Sequence, residues 1–172
     1  LSPTMGLSLI VIVFYFVNIL GYTIGEATIP ITFIFLLLSS LILFKNKTEL
    51  LIKEKYFYLI FFISFVFVSY PFIFFGFGWV SYANDDMANY ALAAQRSQNF
   101  GLEHTPNFTS LLNGGDQSHY YWFMHAVMGH RVGSEIFLSY MAALTGLNAH
   151  QIFMPTIVML HMSLVTAIGA LV

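Results

Sequence analysis

The sequence predicts an all-α polytopic membrane protein, a bundle of transmembrane helices with one large extracytoplasmic loop that carries short surface helices. Three observations predict this class. Hydrophobic residues make up 58% of the 172 residues and charged residues only 8%, whereas a soluble domain has about a quarter of its residues charged. The apolar residues are gathered into long stretches, and a single segment between Trp79 and Arg131 holds four of the eight acidic residues and four of the six histidines. Lipid must therefore solvate much of the molecular surface.

The apolar stretches are the predicted spans, and they lie near residues 7–22, 29–44, 56–77, 134–147 and 151–172. A span of the bilayer core takes about 20 helical residues, so we expect the first two stretches to borrow flanking residues. Pro30 opens the second apolar stretch. The third stretch is long, aromatic and uncharged. The fourth is short, which predicts either a true span or a buried helix, with Ser134 as its N-cap.

The lysines determine the predicted orientation. Residues 45–55 hold four of the six basic residues, and short loops rich in Lys stay on the cytoplasmic side. Loop 78–133 then lies outside, and we expect the bacterial inner (plasma) membrane as the location. No basic cluster is dense enough for a nucleic-acid partner. Because Leu1 is not a Met and the chain ends inside an apolar run, we expect residues 1–172 to be the N-terminal part of a longer multi-span domain.

A pair of acidic residues, Asp85 and Asp86, follows the third stretch directly. Asn84 or Asp85 is suited to cap a helix over residues 87–99. Its apolar positions share one face at i, i+3, i+4 spacing; they are Met87, Tyr90, Ala91 and Ala94. We therefore predict an amphipathic helix on the membrane surface, with the acidic pair at its positive N-terminal end.

This acidic pair is the main candidate site. A helix N-terminus stabilises carboxylates as anions, and two adjacent carboxylates provide hard oxygen ligands for a divalent cation such as Mg²⁺ or Mn²⁺. We predict Asp85 as general base and Asp86 as metal ligand or second carboxylate. The alternative interpretation is that the Asn-Asp-Asp sequence is only a helix cap.

Other polar residues of the loop are candidate contacts to a substrate; they are Arg96, Asp116, His119 and Arg131. Arg131 is equally suited to reach lipid head groups. The aromatic surroundings of His119, His125 and His130 favour a place in the head-group region, with a ligand or phosphate contact from His119 or His125 as the alternative. His161, within the last apolar stretch, is expected to face the interior of the bundle.

The order of these features resembles the polytopic GT-C glycosyltransferases. Asp85-Asp86 looks like the paired acidic motif in the first outer loop of that superfamily. In those enzymes the acidic motif is followed by a short span, a Gly and the next span, and residues 131–146 and 148–155 are similar to this order. The resemblance implies transfer of a sugar from a polyprenyl-phosphate carrier to an acceptor on the outer side of the membrane, in assembly of cell-envelope polysaccharide. The bilayer and a lipid-linked sugar donor would be the partners.

Two departures restrict the resemblance to the superfamily. The His-Pro-Pro motif that often precedes the short span is absent from the sequence, and two spans precede the acidic loop in addition to the one found in many members. Two other classes of function stay open. A transporter or flippase would need charged or broken helices at mid-membrane, and a non-catalytic membrane subunit would need the acidic pair only as a cap.

Overall fold

The structure, a computed structural model, describes residues 3–46, 55–76 and 86–169. Across these ranges the secondary structure is helical and no strand occurs, which confirms the all-α class. The helices are α1 (Pro3–Ile19), α2 (Ile24–Asn46), α3 (Lys55–Phe75), α4 (Asp86–Asn99), α5 (Phe108–Leu112), α6 (Tyr120–Trp122), α7 (Gly133–Thr145) and α8 (Ala149–Gly169). A 3₁₀ turn, Gln117–His119, precedes α6, and a π turn, Phe123–Val127, follows it.

Among the described helices, α2, α3 and α8 are long and apolar enough to cross a membrane. The qualifying segments are Ile24–Ile42, Tyr56–Phe75 and Ala149–Gly169, with mean hydropathies of 1.8, 2.2 and 1.8. Many large apolar side chains of α2 and α3 are exposed, as expected where lipid is the solvent. Helix α1, with 17 residues, is shorter.

The second helix begins at Ile24, six residues before Pro30, so the second apolar stretch takes in flanking residues as predicted. Thr23 and Glu26 form a capping box, in which the amide of Glu26 donates to Thr23 Oγ1 (3.1 Å) and the Thr23 hydroxyl donates to Glu26 Oε2 (2.8 Å). This exchange satisfies donors at the helix start. Helix α2 therefore begins at Ile24 and contains Pro30 within it.

Helix α7 is the centre of the fold. It packs against α1 and α2 on one side and against α4 and α8 on the other, and more than half of its residues are buried. Its 13 residues extend about 20 Å at about 1.5 Å per residue, less than a bilayer core of about 30 Å. Length and burial thus favour the alternative of a buried helix over a separate span.

The ends of α7 differ in how well the sequence predicted them. Gly146 ends the helix in the left-handed conformation (φ 71°), which agrees with the predicted end. Ser134 is not the N-cap: Val132 occupies that position, and the Ser134 hydroxyl donates to Glu135 Oε2 at 2.8 Å instead.

Helix α4 packs against other helices on several sides. Met87, Ala91 and Ala94 are buried, as their spacing predicted. Arg96 and Ser97 are buried as well, because α4 contacts α2, α7 and α8. Helix α4 is therefore packed among other helices, and its predicted place at the membrane surface stays a prediction.

The end of α4 is joined tightly to the α1–α2 turn. Asn18 Nδ2 donates to the carbonyls of Phe100 (2.9 Å) and Tyr22 (3.1 Å), and the amide of Leu102 donates to Asn18 O (3.0 Å). A Cβ at Gly101 would lie 2.8 Å from the backbone of Gly21. Only glycine allows these two segments of the backbone to approach this closely.

Replacing Gly101 by Ala is therefore expected to lower the free energy of unfolding by about 1–3 kcal/mol, the usual cost of overpacking. Gly6→Ala is the matched control, since a Cβ at that helical position meets nothing within 4 Å. Thermal unfolding of both variants in detergent, followed by circular dichroism, would show a lower midpoint for the first alone. An equal midpoint for both would contradict the close approach.

Candidate functional site

The candidate site is a cavity of about 700 Å³ where the starts of α4 and α7 meet the segment that includes α6. Its polar lining comes from separate parts of the chain. Asn89 belongs to α4, Tyr121 to α6, His125 to the π turn, and Glu135 to α7; Arg131 belongs to the preceding loop. Such convergence of polar groups in one concave region is typical of ligand sites.

The π turn is the element that places His125. Its wide hydrogen bond joins the amide of Met128 to the carbonyl of Phe123 at 3.0 Å, five residues back. Single π turns recur at functional sites in proteins because they change which side chains face inward. Here His125 lines the cavity and is only 9% exposed. The ring therefore faces the cavity, and its predicted place in the head-group region stays a prediction.

Glu135 also lines the cavity and lies beside His125. Its Oε1 is 3.9 Å from His125 Nε2, and its other oxygen accepts from Ser134. Burial lowers the pKa of His125 below the usual 6.5, and the positive charge of Arg96 and the neighbouring His130 also lower it, while Glu135 opposes them. His125 is consequently neutral near pH 7, beside a carboxylate that favours its protonated form.

Tyr121 connects the α6 segment to α4. Its hydroxyl donates to Asn89 Oδ1 at 2.5 Å. Burial is the main cause that raises the pKa of Tyr121, with contributions from Tyr120 and Glu135. The phenol therefore keeps its proton, and the pair presents one wall of the cavity with fixed hydrogen-bonding groups.

Arg96 lies in a second cluster, outside the cavity lining. It is 3% exposed, its Nη2 donates to His104 O (2.6 Å), and its Nη1 is 3.0 Å from His119 Nδ1. Its guanidinium also lies 5.4 Å from the centre of the Phe100 ring, a cation–π distance. Burial lowers the pKa of Arg96 to about 10, and the charge of Asp116 partly opposes this. The geometry gives Arg96 a structural role in place of the predicted substrate contact.

His119 and Asp116 belong to the same cluster. Since a guanidinium only donates, His119 Nδ1 must accept from Arg96, and a proton on that nitrogen would break the contact. Burial lowers the pKa of His119, Arg96 and His104 lower it further, and Asp116 opposes them. Asp116 caps the 3₁₀ turn by accepting from the amide of Ser118 at 2.9 Å. Neither residue is brought to the cavity with Arg131.

Of the predicted catalytic pair, Asp85 lies outside the described residues, and so does the side chain of Asp86. The backbone of Asp86 begins α4. Asn89, which lines the cavity, follows three residues later, about 5 Å along the helix. The start of α4 therefore stands at the edge of the cavity. Within the described part of the chain no three His, Asp or Glu residues group as metal ligands, so the predicted cation site on Asp85 and Asp86 stays a prediction.

The pair of His125 and Glu135 is the functional feature that the sequence did not reveal. The two residues are separated by a loop with Gly129 and Gly133, and no motif spacing connects them. Glu135 was not among the candidate residues that the sequence indicated. The prediction for His161 is also wrong, since its side chain is exposed among the described helices.

The chain has no significant match among protein-family models, curated proteins or solved structures.

Proposed function

We propose that the chain is part of a membrane glycosyltransferase of the GT-C type, which transfers a sugar from a polyprenyl-phosphate carrier to an acceptor hydroxyl on the extracytoplasmic side. The observation that supports this best is the position of the cavity. It stands at the start of α4, where the acidic pair lies in the sequence, and it is lined by Arg131, His125 and Glu135.

The cavity suits a ligand that is polar and partly anionic. Its volume of about 700 Å³ falls within the range of about 300–1,000 Å³ that holds small molecules. Asn89 and Tyr121 supply hydrogen-bonding groups for sugar hydroxyls, and Arg131 supplies a cation for a phosphate. In the proposal Asp85 and Asp86 complete the site, as base and as ligands of Mg²⁺ or Mn²⁺.

The membrane context supports a lipid-linked donor. Among the described residues, three helices are long and apolar enough to cross a bilayer, so a prenyl tail would have a hydrocarbon phase beside the site. The lysine-rich segment 45–55 favours a cytoplasmic position for the loop between α2 and α3. In the proposal the cavity opens on the opposite, extracytoplasmic face of the bacterial inner membrane. The acceptor is a hydroxyl of a glycan, lipid or protein.

The reaction needs one base and one stabilised leaving group. The acceptor hydroxyl oxygen forms a bond to the anomeric carbon as the bond from that carbon to the phosphate oxygen breaks. The carrier phosphate leaves with the electron pair, and the hydroxyl proton passes to a base in the cavity. Arg131 offsets the charge that develops on the phosphate, and a cation held by Asp85 and Asp86 would supply further positive charge there.

The test is sugar transfer by the full-length protein in proteoliposomes that contain polyprenyl-phosphate hexoses with a radiolabelled sugar. We expect the label to move to an acceptor, with release of the polyprenyl phosphate. Movement of the intact lipid-linked sugar between leaflets without cleavage would contradict the proposal and identify a flippase. Absence of both transfer and movement would favour a non-catalytic subunit.

Arg131→Ala is expected to raise the KM for the donor about tenfold, since a hydrogen bond to a charged group contributes about 1.5–3 kcal/mol. Arg131→Lys should recover part of the effect, because it keeps the charge without the planar fork. The control is Lys45→Ala, an exposed cation at the end of α2. An unchanged KM in the Arg131→Ala variant would remove Arg131 from the donor site.

A further inference from the structure

We infer that His125, supported by Glu135, is the proton acceptor of the cavity and takes the proton of the acceptor hydroxyl during sugar transfer. This inference rests on the proposed function and changes one part of it. Asp85 is then free to act with Asp86 as a cation ligand, which is the role that two adjacent carboxylates suit best.

The geometry separates His125 from the other histidines of the loop. His119 uses Nδ1 to accept from Arg96. His130 is exposed, and its Nδ1 lies 3.1 Å from the carbonyl of Met124, a contact in which that nitrogen must carry the proton. His125 is the one that combines burial, a place in the cavity wall and a carboxylate beside the ring.

The charges around His125 match the needs of a base. The titratable or charged groups that face it are Glu135 from α7, Arg96 from α4, Tyr121 from α6 and His130 from the following segment. Before the reaction the ring is neutral and ready to accept. After proton transfer the imidazolium lies 3.9 Å from Glu135 Oε1, so the carboxylate stabilises the charge as it forms.

Glu135 is a positioning residue in this scheme. Ser134 donates to one of its oxygens at 2.8 Å, which leaves the oxygen nearer to His125 to interact with the ring. Both residues belong to the first turn of α7, the most deeply packed helix. The carboxylate is consequently held on a rigid element, as a residue that orients a base should be.

The experiment measures kcat/KM against pH for the full-length protein in proteoliposomes with the same donor. The wild-type rate should fall as acid protonates His125, with the midpoint below pH 6.5 because burial lowers this pKa. His125→Gln should reduce the rate about 10²-fold or more and abolish this acid limb. The matched control is His150→Gln, at an exposed position at the start of α8. This variant should keep the wild-type rate and the acid limb of the pH profile.

Glu135→Gln is expected to move the acid limb to lower pH. Loss of the carboxylate charge removes the attraction that raises the pKa of His125. The KM should change little, and kcat should fall because the imidazolium is no longer stabilised. Asp85→Asn should lower the rate and leave the limb where it is.

The outcomes distinguish this inference from the proposed function. If the wild-type protein transfers sugar and a folded His125→Gln or His125→Asn variant keeps both rate and limb, His125 is not the acceptor and the proposed function stands. A limb that disappears in Asp85→Asn assigns the proton to Asp85 and also overturns the inference. If His125 variants do not fold, an unmoved limb in Glu135→Gln overturns it. If the wild-type protein transfers no sugar, the proposed function fails and the role of His125 fails with it.

Discussion

Replacing Asp85 or Asp86 by Asn is expected to reduce sugar transfer about 10²-fold or more with folding intact. Asp86 is the first residue of α4 and Asp85 precedes it in the sequence. Asn89, three residues after Asp86, lines the cavity. Asn keeps the size and the capping ability of Asp but removes the charge that a cation or a proton needs. The substitution therefore separates a catalytic pair from a helix cap.

Two measurements decide this prediction. Thermal unfolding in detergent should be nearly unchanged, because Asn is as good an N-cap as Asp. The concentration of Mg²⁺ or Mn²⁺ that gives half-maximal transfer should rise in both variants if the carboxylates bind the cation. Glu103→Gln is the control, an exposed carboxylate in the same loop. Full activity in the Asp variants would leave the pair as a cap and favour the non-catalytic subunit.

Replacing Arg96 by Met is expected to lower the free energy of unfolding by about 3 kcal/mol, since hydrogen bonds to charged groups contribute about 1.5–3 kcal/mol each. The variant loses the contacts to His104 O and His119 Nδ1 and the cation–π contact with Phe100. These contacts hold the loop after α4 against the 3₁₀ turn before α6. The loss of order should therefore reach the segment that carries Tyr121 and His125.

The matched control is Gln95→Met, an exposed neighbour on the same helix, which should unfold near the wild-type temperature. Arg96→Lys should recover only part of the stability, because one ammonium cannot reproduce the planar fork. Hydrogen exchange across residues 100–127 would show whether the loop opens in the Arg96→Met variant. Unchanged stability and exchange would mean that Arg96 is not what holds this loop.

Hydropathy predicted the helices well because it reports a property of each segment. The third and fifth predicted spans, near residues 56–77 and 151–172, correspond to α3 (Lys55–Phe75) and α8 (Ala149–Gly169). The helix predicted over residues 87–99 corresponds to α4, since the spacing of its apolar side chains has the period of a helix. The sequence placed flanking residues in α2 but did not locate its start at Ile24, because the Thr23 to Glu26 capping box was not recognised.

The candidate site was predicted less well, and Arg96 and His125 show why. A charged residue between apolar positions looks exposed when one helix is considered alone, whereas Arg96 is buried by elements that are distant in sequence. Similarly, the π turn that directs His125 toward Glu135 has no signal in the composition of residues 123–127. Both features depend on the packing of separate segments, which local periodicity does not encode.

The amino-acid sequence by itself determined the helical class, the apolar segments suited to lipid and the place of the acidic pair next to a helix start, because each depends on neighbouring residues along the chain. The tertiary structure alone decided that α7 is a core helix, that Arg96 holds a loop, and that His125 meets Glu135 in a cavity. Those facts arise when helices far apart in sequence bury one another's side chains, and the cost of burying an unpaired charge or polar group then determines which partners meet.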